Sequence, residues 1–349
     1  MYPALAVLQT MQNKAEVLWV GGEGGMEAQL VARANVPFKT IPAAGIHGVG
    51  LKSLPGNIIR LVRGFFASRR ILHEFNPDVM FFTGGYVAVP IAMAGKRVPM
   101  VLYVPDIEPA LALKTLARFA DKIAVTSPDS FRYFKHPDRL VLTGYPTRPE
   151  LAKWTRSAGR RTLGLSDDLP VLLVFGGSKG ARSINEAVLG NLPTLLERVQ
   201  IVHISGELDW PRVEARAKEI TGVQSNRYHV FPYLHDEMGA ALAAADLVIS
   251  RAGASALGEY PLFGLPAVLV PYPYAWRYQK VNADTLVQQG AAIMLEDDKL
   301  SDQIVLVVSD LLGQPIKLAS MRNAMQRLSH PEAASEIANQ LFALCQERS

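Results

Sequence analysis

Short apolar runs alternate with longer segments of helical periodicity along the whole 349-residue chain. Apolar or β-branched runs of about four to eight residues, bounded by turn residues, are typical of buried strands. The pattern predicts strands at 16–20, 78–82, 100–104, 122–126, 139–143, 170–175, 200–205, 228–231, 247–250, 267–270 and 292–295. Strands that alternate with helices form parallel sheets with crossover connections, so the predicted fold class is α/β.

A turn-rich segment, Gly-Tyr-Pro-Thr-Arg-Pro at 144–149, divides these strands into two groups, and a polar stretch at 153–161 follows it. We therefore predict two doubly wound, Rossmann-like domains at residues 1–149 and 150–349. Open sheets of this kind bind ligands at the carboxyl ends of their strands, so the two domains are expected to face a shared cleft. The C-terminal helix, at 333–346, is expected to cross back onto the first domain.

The amino-acid composition excludes several classes of protein. The single cysteine, Cys345, excludes a disulfide framework and a cysteine-rich metal site, and the seven histidines show no paired spacing, so we predict no metal and no cofactor. The chain has no run of about 18 uncharged apolar residues and no basic leader, so neither a membrane span nor a signal peptide is expected.

The charge is unevenly distributed. Residues 1–150 carry 17 Lys/Arg and 11 Asp/Glu, a net +6, and the remainder carries 19 and 21, a net −2. Much of the excess lies at 51–72, which contains no acid and predicts either an amphipathic helix on an anionic membrane or a helix whose apolar stripe faces the core. The residues that would face a membrane are Lys52, Arg60, Arg63, Phe65, Phe66, Arg69 and Arg70.

The segment 248–259 reads VISRAGASALGE, an apolar strand that breaks at a small-residue turn and continues as a helix. The first N–H groups of a helix lack internal partners, so such a turn favours an anion such as a phosphate. Glu259 lies behind the turn, where a carboxylate is suited to accept hydrogen bonds from a ribose. The alternative is an ordinary strand-to-helix connection.

A second strand-to-turn unit follows the run at 171–175, where the sequence continues GGSKGAR. Its glycines allow close approach of the backbone, and the Ser178 hydroxyl could bind a phosphate or sugar oxygen. The spacing matches neither the Walker A motif nor the dinucleotide fingerprint.

Taken together, these motifs resemble the MurG family of peptidoglycan glycosyltransferases. The matching segments are YPALAV at 2–7, GGYV at 84–87, GYPTR at 144–148, GGSKGAR at 176–182, SRAGA at 250–254 with Glu259, GLPAVLVPYP at 264–273, and Gln279 with Asn282-Ala283. The resemblance implies a GT-B fold and an inverting, metal-independent transfer of N-acetylglucosamine.

The resemblance also implies site residues. Those matching the family's UDP-sugar donor site are Arg148, Gly177, Ser178, Gly180, Leu234, Gly253, Ala254, Glu259 and Gln279. Glu259 matches an acid that holds the ribose, and Gln279 matches a glutamine that reads the transferred sugar. Gly84, Gly85 and Tyr86 match the site for the acceptor's pyrophosphate, in the membrane-facing first domain.

The chain departs from the family at its beginning, where Met1 directly precedes Tyr2 and the family's first strand and GGTGGH loop are absent. Two explanations are open: Met1 is an internal methionine taken as the start, or the chain is a truncated homologue. We favour the first. The absent histidine is a natural general base, so the catalytic base is unknown, and Asp106 is a weak candidate that also fits a turn-capping role.

The expected function is transfer of N-acetylglucosamine from UDP-N-acetylglucosamine to lipid I, the undecaprenyl-pyrophosphoryl-muramyl-pentapeptide, which forms lipid II. The enzyme would lie peripherally on the cytoplasmic face of the cell membrane, bind its anionic surface, and bind no nucleic acid. The alternatives are a diacylglycerol glycosyltransferase and a non-catalytic UDP-sugar-binding homologue without the acceptor loop. An epimerase is disfavoured, since it would leave the GGY turn and the basic stretch without a role.

Overall fold

The computed structural model describes residues 1–11, 14–24, 31–32, 34–45, 54–177, 179–274 and 278–347. The chain divides into two compact units. Unit 1 comprises Met1–Pro146 and Glu332–Ser349, and unit 2 comprises Thr147–Pro331.

Unit 1 is an α/β unit whose described strand pairs are all parallel. Its described elements before residue 147 are α1 (Tyr2–Met11), β1 (Trp19–Gly22), β2 (Phe38–Ile41), α2 (Leu54–Phe75), β3 (Met80–Phe82), α3 (Ala88–Ala94), β4 (Met100–Val104), α4 (Leu111–Leu116), β5 (Lys122–Val125) and β6 (Leu140–Leu142), with 3₁₀ turns at Pro128–Tyr133 and Pro137–Arg139. In the described ranges β1 pairs with β2, and a separate sheet has the order β3-β4-β5-β6.

One apolar core joins these elements. All five residues of β4 are buried, because helices cover a parallel sheet on both faces. Leu18, just before β1, and Val20, within it, pack against the core cluster that contains Met80 and Phe82 of β3. Gly64 lets α2 approach the backbone that follows β2, since a Cβ there would lie 2.2 Å from the Pro42 carbonyl oxygen.

Unit 2 is a doubly wound sheet with helices on both faces. Its described elements are a 3₁₀ turn at Leu151–Lys153, α5 (Arg156–Thr162), β7 (Val171–Phe175), α6 (Arg182–Gly190), α7 (Leu192–Leu196), β8 (Gln200–Ile204), α8 (Trp210–Lys218), a 3₁₀ turn at Gly222–Arg227, β9 (Tyr228–Phe231), α9 (Met238–Ala244), β10 (Leu247–Ser250), α10 (Ala256–Phe263), β11 (Ala267–Leu269), α11 (Tyr278–Gln288), β12 (Ala292–Met294), α12 (Leu300–Leu312) and α13 (Pro315–Gln326).

The six strands of this sheet are parallel and have the order β12-β11-β10-β7-β8-β9. The chain runs outward from β7 to β9, then returns to β10 on the other side of β7 and runs outward again. The winding therefore reverses between β7 and β10, which is where doubly wound sheets bind ligands.

The last helix, α14 (Ala333–Gln346), belongs to unit 1. It packs on α1, where the Thr10 hydroxyl approaches the Ala334 carbonyl oxygen at 3.4 Å.

Most predicted strands agree with the structure to within one or two residues at each end. The prediction at 16–20 is displaced, since β1 begins at Trp19 and ends at Gly22. The strand β2 was not predicted. It has only four residues, and two of them, Lys39 and Thr40, are exposed, so it carries little apolar signal.

Candidate functional site

Three loops of unit 2 leave the sheet side by side at the point where its winding reverses. Phe175 at the end of β7 pairs with Ser250 at the end of β10 on one side and with Ile204 at the end of β8 on the other. The loop Gly176–Ala181 therefore lies between the turn Arg251–Ser255 and the turn that begins at Ser205. The structure thus brings together the two motifs that the sequence predicts to bind phosphates.

The turn Arg251–Ser255 is held from behind by buried polar groups. The Ala252 carbonyl oxygen accepts a hydrogen bond from Asn282 Nδ2 at 3.1 Å, and the Ser250 hydroxyl lies 2.5 Å from the Tyr260 hydroxyl. In front of the turn there is space, since a Cβ on Gly253 would meet nothing within 4 Å. A backbone that is fixed behind and open in front is suited to bind a ligand through its N–H groups.

The Arg251 guanidinium connects this turn to its neighbours. It donates to Ser183 Oγ at the start of α6 (2.8 Å) and to the Val270 carbonyl oxygen after β11 (3.0 Å), and it forms an ion pair with Asp297 after β12. The Ser183 hydroxyl donates to the same carboxylate at 2.7 Å. The sequence analysis did not predict this connecting role of Arg251. A long basic side chain among small residues, directly after a buried strand, nevertheless indicates it.

Glu259 lies in the first turn of α10, half-buried behind the turn Arg251–Ser255. Burial raises the pKa of its carboxyl to about 7, and the nearby Arg148 guanidinium and a hydrogen bond with Ser255 only partly oppose this. Near neutral pH the carboxyl therefore lies close to its midpoint of ionisation. The structure places Arg148 and Glu259 together within unit 2.

The loop Gly176–Ala181 depends on glycine for its shape. Gly177 and Gly180 have φ values of +90° and +78°, which L side chains rarely adopt, and the Gly180 N–H donates to the Gly177 carbonyl at 2.9 Å. A Cβ on Gly180 would lie 2.2 Å from the Ser205 carbonyl oxygen, so two backbones meet here directly. Ser178, the predicted side-chain ligand of this loop, lies outside the described residues.

Gln279 lies at the start of α11, the helix that also carries Asn282. Its Oε1 accepts a hydrogen bond from the Tyr272 N–H at 2.9 Å, which fixes the amide so that Nε2 points away from that contact.

Leu234 follows β9 and is buried, so only its backbone is suited to read a base. Its role, like those of the other donor residues, stays a prediction.

In unit 1 the Gly84-Gly85-Tyr86 turn follows β3, and Asp106 follows the neighbouring parallel strand β4, at the same edge of the sheet. Gly84 and Gly85 have φ values of +112° and +90°, and Tyr86 is exposed. Both glycines therefore adopt backbone conformations that L side chains rarely adopt. The acceptor role of this turn and the base role of Asp106 remain predictions.

The exposed face of α2 is both apolar and basic. Its exposed side chains include Ile58, Ile59, Arg60, Val62, Arg63, Phe66, Arg69 and Arg70. Arg70 also pairs with the exposed Glu74 at 2.8 Å. Phe65 is half-buried beside Phe66, and Lys52 lies outside the described residues. A second face of α2, with Ser68 and Ile71, packs into the core, as the core-facing interpretation expects. The membrane-facing interpretation of the exposed side stays a prediction.

Two further observations concern the described residues. They contain no cluster of three or more His, Cys, Asp or Glu with metal-binding geometry. Within the same ranges no single helix combines the length and apolarity of a membrane span, and only α12 and α13, bent by 92°, reach those limits when counted together.

Comparison with known proteins gives the family. The glycosyltransferase family 28 N-terminal domain matches residues 1–125, and the family 28 C-terminal domain matches residues 171–337. A Roseiflexus protein is 41% identical over 92% of this chain and 82% of its own length, and a Desulforamulus reducens protein is 38% identical over 96% and 93%. Both are named UDP-N-acetylglucosamine--N-acetylmuramyl-(pentapeptide) pyrophosphoryl-undecaprenol N-acetylglucosamine transferase.

Solved structures confirm the α/β fold class and the GT-B architecture. The crystal structure of Acinetobacter baumannii MurG superposes with a TM-score of 0.76 at 24% identity, covering 98% of this chain and 95% of the other. A UDP-GlcNAc 2-epimerase from Neisseria meningitidis has a TM-score of 0.68 at 13% identity, with coverage of 98% and 96%. At these identities the structures show the fold alone, and the sequence relatives decide the family. The chain belongs to the MurG family of glycosyltransferases, within glycosyltransferase family 28.

Proposed function

We propose that this chain transfers N-acetylglucosamine from UDP-N-acetylglucosamine to lipid I, the undecaprenyl-pyrophosphoryl-muramyl-pentapeptide, and so forms lipid II. The observation that carries the proposal is that the loop Gly176–Ala181 and the turn Arg251–Ser255 leave the sheet side by side at its reversal point, with Glu259 behind the turn. The names of the sequence relatives support the same donor and acceptor.

In the proposed reaction the acceptor hydroxyl oxygen forms a bond to the anomeric carbon, and the bond from that carbon to UDP breaks. UDP leaves with the electron pair, the configuration inverts, and the hydroxyl proton passes to a base that is still to be identified. Backbone N–H groups of the two turns, with Arg148, would stabilise the charge that develops on the diphosphate. The ionised Glu259 carboxylate would accept hydrogen bonds from the ribose hydroxyls.

The test is transfer of labelled N-acetylglucosamine by the 349-residue chain to a lipid I analogue in the presence of EDTA, with diacylglycerol as a parallel acceptor. Transfer to the lipid I analogue supports the proposal. Transfer to diacylglycerol alone would instead make the chain a glycolipid glycosyltransferase, and UDP binding without transfer to either acceptor would make it a non-catalytic binding protein.

Gln279 offers a test of how the sugar is read. Glu at this position keeps an oxygen to accept from the Tyr272 N–H but lacks the Nε2 donor, so Gln279→Glu is expected to weaken binding of UDP-N-acetylglucosamine by about tenfold. Binding of UDP, which has no such sugar, should be unchanged. Calorimetry with both ligands makes the measurement, and equal losses for the two ligands would show that Gln279 supports the loop rather than the sugar.

We further propose that α2 places unit 1 on the anionic, cytoplasmic face of the cell membrane, with Phe66 and Ile59 entering the interface. These two side chains are 62% and 60% exposed, an unusual exposure for large apolar groups, and cations flank them. Each near-surface cation contributes about 1 kcal/mol of attraction to an anionic leaflet.

Neutralising two of these cations, Arg60→Gln with Arg63→Gln, is expected to weaken binding to phosphatidylglycerol-containing vesicles by about 30-fold. Flotation with vesicles of graded anionic content makes the measurement. The matched control removes two exposed cations from unit 2, Arg161→Gln with Arg198→Gln. Equal losses in both double variants would assign the binding to net charge rather than to α2.

A further inference from the structure

Asn185 connects two of the loops at the candidate donor site. It lies in α6, four residues after the loop Gly176–Ala181, and is 2% exposed. Its Nδ2 donates to the Ser205 carbonyl oxygen at 2.9 Å and to Asp209 Oδ2, immediately before α8, at 2.8 Å. A single buried amide thereby joins the start of α6 to the turn that follows β8.

The orientation of this amide is set by a buried histidine. Both Nδ2 contacts are acceptors, so Oδ1 must face the third contact, His203 Nε2 at 3.0 Å, and that nitrogen must carry the proton. His203 Nδ1 then accepts from the Tyr228 hydroxyl at 2.8 Å. Burial lowers the pKa of His203 to about 3, so the ring stays neutral in this tautomer throughout the working pH range.

The Ser205 carbonyl is also the group against which the glycine loop rests. Its oxygen would lie 2.2 Å from a Cβ on Gly180, and a Cβ on Gly206 would lie 2.5 Å from Gly180 Cα. Two backbones in such contact cannot move independently, because interiors are close-packed. A displacement of the Ser205 carbonyl is therefore transmitted to the Gly180 backbone.

We propose that Asn185, oriented by His203, is a positioning residue that holds the Gly180 backbone in the conformation that binds the diphosphate of the donor. The inference rests on the proposed function for the identity of the ligand. The contacts within the network are independent of that function. Asn185 touches the Ser205 carbonyl and acts on the donor only through it.

His203 provides variants that separate positioning from packing. Glutamine can place an N–H where His203 Nε2–H lies, whereas leucine cannot, so His203→Gln should retain the orientation of the Asn185 amide and His203→Leu should lose it. Asn185→Asp places a carboxylate oxygen against two acceptors and should displace the Ser205 carbonyl. Tyr228→Phe removes a hydroxyl from the same network with the least change in volume.

The experiment measures steady-state kinetics of the full chain with UDP-N-acetylglucosamine varied at saturating acceptor, with UDP binding by calorimetry and amide exchange of the 176–181 segment. We expect Asn185→Asp and His203→Leu to raise KM and the UDP Kd by about tenfold or more, with kcat within about threefold, and to speed exchange. His203→Gln and Tyr228→Phe should stay within about threefold of wild type in all three measurements.

A lower Tm or a smaller active fraction with unchanged KM, Kd and exchange would overturn the proposal, because that is the result of a purely structural role. Equal effects of His203→Gln and His203→Leu would also overturn it. If the unaltered chain transfers no sugar, the proposed function fails, whereas UDP binding and amide exchange still decide the role of Asn185. If Asn185→Asp does not fold, the comparison of His203→Gln with His203→Leu decides it.

Discussion

Replacement of Glu259 by glutamine is expected to lower kcat/KM for UDP-N-acetylglucosamine by about 100-fold, because the ribose loses an ionised hydrogen-bond acceptor. A hydrogen bond to a charged group contributes about 1.5–3 kcal/mol, and a ribose offers two hydroxyls. Glutamine has the same shape, so the turn Arg251–Ser255 should keep its conformation. The measurement is the initial rate with donor varied at a fixed, saturating acceptor concentration.

The same variant should change the pH profile. The kcat/KM of the unaltered chain is expected to fall about tenfold per pH unit below pH 7, because the free enzyme must ionise Glu259 before it binds the ribose. The diphosphate of UDP-N-acetylglucosamine is a diester and does not titrate in this range. In Glu259→Gln the acidic limb assigned to this carboxyl should disappear, so the rates of the two proteins converge as the pH is lowered.

The free energy of unfolding should change with pH in the direction opposite to kcat/KM. The pKa of Glu259 is about 7 in the folded chain, against an ordinary value of 4.5 when unfolded. As the pH rises from 4.5 to 7, the unfolded chain loses its proton first, so the free energy of unfolding falls. Above pH 7 the full destabilisation is present. It amounts to about 2–3 kcal/mol of unfolding free energy, after allowance for the partial exposure of Glu259. Glu259→Gln should therefore raise Tm at pH 8 and have little effect near pH 4.

Glu219→Gln is the matched control, since Glu219 is an exposed acid that pairs with Arg216 at the far end of α8. It should change neither the rate profile nor the Tm at pH 8. If Glu259→Gln keeps the kcat/KM of the unaltered chain at pH 8, the carboxylate does not bind the ribose. A gain in Tm without that loss would identify Glu259 as a half-buried acid with no part in donor binding.

The parts of the fold that the sequence predicts are those with local signals. Continuous apolar runs such as Val171–Phe175 become strands buried on both faces, and the small-residue turn before Glu259 follows such a run directly. The strand β2 escapes prediction because its pairing with β1 is non-local and its four residues carry no strong alternation. The distance of Glu259 from the end of the preceding strand was likewise enough to predict that it lies behind the turn Arg251–Ser255.

The contacts that hold the site in shape are not local. Arg251 reaches Asp297 and Ser183 across 46 and 68 residues of chain, and neither separation has a recurring sequence pattern. Asn185 had one available signal, a polar residue beside Ile184 and Val188 on the buried side of α6. Buried polar side chains are normally hydrogen-bonded, so such a residue indicates a partner without naming it. Only the sheet order brings that partner, the Ser205 carbonyl, next to the glycine loop.

Gly180→Ala is expected to lower kcat/KM for the donor by about 100-fold, an effect as large as the loss at Glu259. Alanine at a φ of +78° is strained by about 1–2 kcal/mol, and its Cβ would lie 2.2 Å from the Ser205 carbonyl oxygen, so one backbone must move. A displacement of about 1 Å in a group that positions substrate reduces rates by about this factor. Steady-state kinetics and calorimetry with UDP make the measurement.

Gly164→Ala is the control that separates backbone strain at a positive φ from the collision of the new Cβ with the Ser205 carbonyl oxygen. Gly164 also has a positive φ, +68°, but a Cβ there meets nothing within 4 Å, and the residue precedes β7 at the opposite end of the sheet. Its alanine variant should therefore lose about 1–2 kcal/mol of stability and keep its KM and UDP Kd. If Gly180→Ala loses only the same stability and still binds UDP normally, the Gly180 backbone does not position the diphosphate. The diphosphate would then be bound by the turn Arg251–Ser255, whose backbone is open at Gly253.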